Sequence, residues 1–168
     1  MKLLDKLLKK NPGCGQRETG VLYAPVTGTY IPLSEVRDEV FSQGILGKGC
    51  GIEPAEGRVT APADGIVSAV ASTKHAIGLT LETGMEVIIH VGIDTVNLNG
   101  KGFTVKASEG KRVKCGETLL LFDMDTIRKA GYPVSSVFVV TNCANFPHMQ
   151  MKVGSMYRCG EAMGSQGI

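Results

Sequence analysis

No tryptophan occurs in this chain of 168 residues, and aromatic side chains make up only 5% of it. No apolar run approaches the ~20 residues of a membrane-spanning helix, which excludes a helical span. No basic tract runs through the body and the net charge is only +2, which argues against a nucleic-acid binder. No GxxxxGK[ST] is present, so there is no recognisable phosphate loop for a nucleotide. There is no CxxC either. The five cysteines, Cys14, Cys50, Cys115, Cys143 and Cys159, are odd in number and widely spaced. A disulfide framework or zinc knuckle is thereby disfavoured, and free thiols in a reducing cytoplasm are expected.

What is abundant is glycine, 22 residues, with seven prolines. Together they predict many turns and short strands. The length fits one domain of ~150 residues. Hydrophobic residues at 43% and charged residues at 20% describe a globular chain rather than a disordered one. The start, residues 1–10, lacks the apolar stretch and cleavage site of a signal peptide. It reads instead as an amphipathic helix, with Leu3, Leu4, Leu7 and Leu8 on one face. Lys2, Lys6, Lys9 and Lys10 against Asp5 make the other face basic, and Asn11-Pro12-Gly13 ends it. Two readings stand: a frayed helix lying on the domain, or a weak contact with anionic lipid. Residues 1–21 are therefore assigned to helix and linker, and residues 22–168 to the folded domain.

From Leu22 to about Tyr157 short β-rich runs alternate with Gly, Pro and Asp. The clearest are 65–71, 77–81, 86–91, 118–122 and 137–141. A short helix is expected at Asp125–Ala130, closed by Gly131, and a helical turn within Ser34–Ser42. The pattern is that of an all-β sandwich or barrel with few short helices. Two internal echoes sharpen it. Ala24-Pro-Val-Thr-Gly28 recurs as Ala61-Pro-Ala-Asp-Gly65, and Val113-Lys-Cys-Gly-Glu-Thr-Leu119 as Tyr157-Arg-Cys-Gly-Glu-Ala-Met163. A strand–turn unit used twice explains both.

Two of the three histidines, His75 and His90, flank an expected hairpin with Thr83-Gly84 at its tip. A two-residue loop would set His90 opposite Ile77 and His75 opposite Gly92. The two imidazoles would then be diagonal neighbours on one face, ~7–8 Å apart at Cα. A three-residue loop would shift the register and break that geometry. A buried structural pair is the plain alternative, but convergence of two histidines beside a glycine favours chemistry. Such a pair offers half a metal site, an acid/base pair, or a nucleophile with a hydrogen-bonding partner. No third metal ligand is found by spacing, so no metal is assigned. Asp94 follows on the loop and would suit a cationic partner. His148 reads as a solvated loop residue.

The residues 72–76 and 84–103, with 24–28, 40–49, 61–65 and 110–116, closely resemble a known family. It is the IIA domain of the glucose family in the bacterial phosphoenolpyruvate-dependent sugar phosphotransferase system. The similarity runs from about Leu22 to Asn142, and His90-Val-Gly-Ile-Asp-Thr95 with its continuation to Phe103 is its most specific part. The resemblance implies an antiparallel β-sandwich of duplicated, barrel-sandwich type. It implies a cytoplasmic phosphocarrier that receives a phosphoryl group from the histidine phosphocarrier protein and passes it to a IIB domain of a sugar permease. No cofactor is then required, since the group comes from phosphoenolpyruvate through protein donors. By the same resemblance His90 is the phosphorylated nucleophile, His75 stabilises the phosphoryl group and Thr73 orients His75. Asp38 and Asp94 face arginines of the donor, while Phe41, Ile45, Ile88 and Val96 form an exposed apolar ring. Small residues at Ala71 and Gly78 imply a differently shaped rim. The glycine-rich stretch 160–168 implies a short or frayed final strand. Two other classes compete: a zinc peptidase of lysostaphin-like fold, and a biotinyl- or lipoyl-like carrier module. The first lacks a ligand set; the second lacks a lysine at the hairpin tip.

Overall fold

The computed structural model describes residues 17–168. The helix and lipid contact expected for residues 1–10, and Cys14, lie outside the described residues. The chain already packs on the body at its first described residue. The Arg17 guanidinium lies over the Tyr23 ring at 4.3 Å and donates to the Gly160 carbonyl at 2.7 Å.

Among the described residues the strands are β1 (Val21–Tyr23), β2 (Gly28–Pro32), β3 (Lys48–Pro54), β4 (Arg58–Thr60) and β5 (Gly65–Val70). There follow β6 (Ala76–Leu81), β7 (Glu86–His90), β8 (Phe103–Val105), β9 (Arg112–Val113) and β10 (Thr118–Phe122). The last are β11 (Ser136–Val140), β12 (Gln150–Met151), β13 (Met156–Tyr157) and β14 (Ala162–Ser165). Two short helices interrupt them, α1 (Glu39–Ser42) and α2 (Met124–Lys129). Every strand pairing is antiparallel. The largest sheet has the order β13-β2-β3-β11-β7-β6-β5-β9, and two three-stranded sheets run β1-β14-β12 and β4-β10-β8.

The expected runs coincide with β5, β6, β7, β10 and β11 to within a residue. The expected helix near Asp125 is α2, started by the Asp123 carboxylate, which accepts from Thr126 N–H. The turn sought in Ser34–Ser42 is split into a 3-10 turn at Leu33–Glu35 and α1. The final strand is short but not frayed: β14 lies between β1 and β12.

The sequence echoes are a real duplication. Ala24 N–H donates to Glu161 O at 2.8 Å, and Ala61 N–H donates to Glu117 O at 2.9 Å. Gly160 N–H returns to Ala24 O, as Gly116 N–H returns to Ala61 O. Cys159 N–H donates to Thr27 Oγ1, and Cys115 N–H to Asp64 Oδ1. The two copies also meet: Tyr23 N–H donates to Pro62 O and Thr60 N–H to Pro25 O. Proline supplies only its carbonyl at these junctions, which suits a residue without an N–H.

Strand β11 is buried along its whole length. Its alternation divides two apolar clusters. Phe138 and Val140 enter the main core with Tyr30, Leu79, Ile89 and Leu119. Val137 and Val139 face a smaller cluster of Val36, Phe41 and Ile93. The second cluster explains why a strand can be apolar on both faces, since the segment 31–41 covers the outer one. Directly opposed residues of neighbouring strands share a face. Val137 opposes His90, so His90 lies on the face that the smaller cluster occupies.

Candidate active site

His90 is the last residue of β7, and His75 lies in the turn that leads into β6. The register between these strands is not the expected one. Ala76 opposes His90, Ile77 opposes Ile89, and Thr80 opposes Glu86. The connecting loop has three residues, Glu82-Thr83-Gly84, closed by Leu81 N–H donating to Met85 O. Gly84 takes the left-handed conformation, φ 88°. His75 therefore stands opposite Val91, whose N–H donates to its carbonyl at 2.8 Å, and not opposite Gly92.

The two imidazoles nevertheless meet, with ring centroids 4.6 Å apart and planes at 81°. Strict strand alternation would put residues 75 and 76 on opposite faces. His75 escapes it because it precedes β6, directly after Lys74 in the left-handed region at φ 62°. The bend frees its side chain from the alternation of the strand. Thr73 Oγ1 lies 2.8 Å from His75 Nδ1. With the hydroxyl donating, the proton of neutral His75 resides on Nε2, so that nitrogen is the donor.

His90 presents one nitrogen only. Its Nδ1 is buried, and the polar partner left to the ring is a weak hydrogen bond to the Gly92 backbone. Nε2 is then the atom through which the ring can react. Burial drives the pKa of His90 down to about 4, and the charge of His75 adds to the effect. The Gly92 backbone and the carboxylates of Asp38 and Asp94 oppose it more weakly. His75 is also lowered by burial. At neutral pH both rings are uncharged, and with the His90 proton on Nδ1, towards the Gly92 backbone, its Nε2 carries a free lone pair.

The loop after β7 is tightly tied. Gly92 has φ 77°, and a side chain there would collide with Thr95. Thr95 Oγ1 donates to Val91 O at 2.5 Å, and Gly92 N–H donates to Ser136 Oγ at 3.4 Å. Ser136 and Thr95 are fully buried; sequence reasoning missed both, because their partners are set by the fold. Asp94 is exposed, with φ 59°. Asp38 is the N-cap of α1, its carboxylate accepting from Val40 N–H at 3.0 Å.

The residues expected to form an exposed apolar ring differ in their exposure. Ile45 is 66% exposed, Val96 47%, and Ile88 is half-buried. Val40 and Leu46, not singled out from sequence, are exposed as well. Phe41 is the correction. It is only 6% exposed and packs inward on the smaller core cluster, with its ring centroid 5.0 Å from that of His90. Gly78 is buried opposite Ile88, while Ala71 is half-buried. His148 is an exposed loop residue, as expected.

Comparison with known proteins agrees with this geometry. A family model described as phosphoenolpyruvate-dependent sugar phosphotransferase system, EIIA 1, matches residues 20–146. The PTS system beta-glucoside-specific EIIBCA component of Bacillus subtilis is 44% identical over 138 residues, covering 82% of this chain and 22% of that protein. Its namesake in Halalkalibacterium halodurans is 45% identical over 130 residues, covering 77% of this chain and 20% of that protein. The chain thus spans about a fifth of the length of these curated relatives. The solved structure of glucose permease IIA from Mycoplasma capricolum superposes with a TM-score of 0.77 at 30% identity. That match covers 90% of this chain and 97% of the other. Neither the peptidase nor the carrier-module reading gains support. The chain belongs to the EIIA type 1 family of the phosphoenolpyruvate-dependent sugar phosphotransferase system, whose members are phosphotransferase components in sugar uptake.

Proposed function

We propose that this chain carries a phosphoryl group on His90 Nε2, taken from the histidine phosphocarrier protein and given to a IIB domain. The observation that supports it most is the histidine pair itself: a neutral ring with one nitrogen sealed, and a second imidazole 4.6 Å away. The Nε2 lone pair attacks phosphorus as the donor's N–P bond breaks, and that bond's electron pair returns to the donor imidazole. The chemistry is mostly positioning and electrostatics. His75 Nε2–H, oriented by Thr73, donates to a phosphoryl oxygen and stabilises the charge that moves. Burial around the pair strengthens that hydrogen bond and keeps out the water that would hydrolyse the product.

Asp94 and Asp38 place negative charge at the rim, which suits a basic donor. Exposed Val40, Ile45 and Val96 provide the dry contact that a transient partner needs. The relatives named EIIBCA carry the B component in their own name, which supports a IIB acceptor. No metal or cofactor takes part in this reading. Among the described residues no helix is long and apolar enough to cross a membrane, in keeping with a domain that works at the cytoplasmic side of a permease.

The test is uptake of acid-labile phosphate from phosphoenolpyruvate, enzyme I and the histidine phosphocarrier protein. The wild type should be labelled at His90, and His90→Ala should accept none. Label persisting on His75 in that variant would reverse the assignment of the nucleophile.

A further inference from the structure

Two rings touch the His90 imidazole. One is His75, which the phosphocarrier reading uses. The other is Phe41, which that reading leaves among the partner contacts. Its surroundings set it apart from the exposed residues of that rim. The neighbours Val40 and Ile45 are open to solvent, while Phe41 points inward against Val36, Ile93, Val137 and Val139. Its ring is tilted at 59° to that of His90. It stands on a helix of four residues that depends on one cap, the Asp38 carboxylate on Val40 N–H.

We propose that Phe41 is a positioning residue: its ring fixes the orientation of the His90 imidazole and helps seal the Nδ1 edge from water, so that only Nε2 is presented to phosphorus. The proposal rests on the phosphocarrier reading of His90. The polar restraint left to this imidazole is a weak hydrogen bond to the Gly92 backbone, so apolar contact does most to limit its turning about χ2. An aromatic ring supplies that restraint through its broad contact area and a preferred tilted geometry. The same ring excludes water from the buried edge, which favours the neutral form. The titratable and charged groups facing His90 are His75 before β6, Asp38 at α1 and Asp94 after β7. The opposing residue of β11 is the apolar Val137. Removing Phe41 alters none of these charges directly.

The experiment compares wild type, Phe41→Ala and Phe41→Leu by two measurements. The first follows the ring protons of His90 by NMR in the free protein across pH. In Phe41→Ala the midpoint should rise by about one unit or more towards the ordinary histidine value, and in Phe41→Leu by less. The second follows phosphorylation by the charged histidine phosphocarrier protein. At pH 6 the rate at saturating donor should fall about tenfold in Phe41→Ala, with the donor concentration for half-saturation changed less than twofold. Should Phe41→Ala not fold, Phe41→Leu carries both readouts. An unmoved His90 midpoint in a folded variant would overturn the proposal. So would a defect confined to donor half-saturation, which is the signature of a lost partner contact. The NMR titration needs no donor, so it judges the Phe41 contact even if the wild type took no label, an outcome that would sink the phosphocarrier reading instead.

Discussion

At His75 one nitrogen is committed and the other is not. Thr73 holds Nδ1, so Nε2 is free to donate towards a group on His90. Glutamine at position 75 keeps a donor but cannot carry positive charge or pass on a proton. His75→Gln should therefore still accept phosphate at His90, because the attacking nitrogen is untouched. Discharge to a IIB domain should fall by ~10²-fold, the effect of removing one preorganised stabilising group. The measurement is paired: label gained from the donor, then label lost to the acceptor. Equal loss in both steps would reduce His75 to a shaping role. The pairing of the histidines was legible in the sequence, but through the wrong geometry. The expected two-residue loop misplaced the register by one, and the rings meet because the backbone bends at Lys74. A left-handed lysine carries no composition signal. Phe41 shows the opposite limit: an apolar residue beside exposed apolar residues gives no local sign that it alone turns inward.

Among elements, the β6–β7 hairpin and the loop after it use glycine for different reasons. Gly84 has φ 88° and open space where a Cβ would be. Gly92 has φ 77° and Thr95 in that space. Gly84→Ala should then cost only the left-handed conformation, about 1–2 kcal/mol, with phosphate acceptance intact. Gly92→Ala meets the same strain and a collision, and must shift the segment that carries Asp94. It should lose stability further and lose most acceptance. Thermal melts beside label uptake separate the two, and equal activity loss in both would refute the distinction. The strand bounds were readable because β-branched runs end at Gly, Pro or Asp. The three-residue loop was not, since part of what holds it comes from far along the chain. Thr83 Oγ1 donates to Gln166 Oε1, and Asn142 Nδ2 donates to Gly84 O at 2.9 Å. The duplicated turns were readable from their Ala-Pro and Cys-Gly-Glu residues. Their equivalent hydrogen bonds show why those types recur: each turn needs an acceptor side chain, Thr27 or Asp64, for the N–H of a cysteine.

In the whole molecule the active site is a thermodynamic liability whose sign can be worked out. His90 titrates near 4 in the folded chain and near the ordinary 6.5 when unfolded. Between those values the unfolded chain holds a proton that the folded chain does not. Stability therefore rises with pH across that window and is lost as pH falls from about 6.5 towards 4, by up to about 1.4 kcal/mol per pH unit for one proton. His75, lowered by the same cause, acts in the same direction. The main core is untouched by this, since burial raises its ionisable groups, the Tyr30 hydroxyl and the Cys50 thiol, far above the acid range. The liability sits at the end of β7 and in the turn before β6, where two neutral imidazoles meet instead of apolar side chains. His90→Gln removes one of the two titrations and leaves the carboxylates alone. Urea unfolding at pH 7, 5.5 and 4.5 should then show the wild type losing more stability on acidification than the variant. The difference between the two proteins isolates His90, because acid titration of Asp and Glu is common to both. Parallel losses would mean that His90 is not held neutral by burial, and that the free lone pair which the proposed phosphate acceptance requires has another origin.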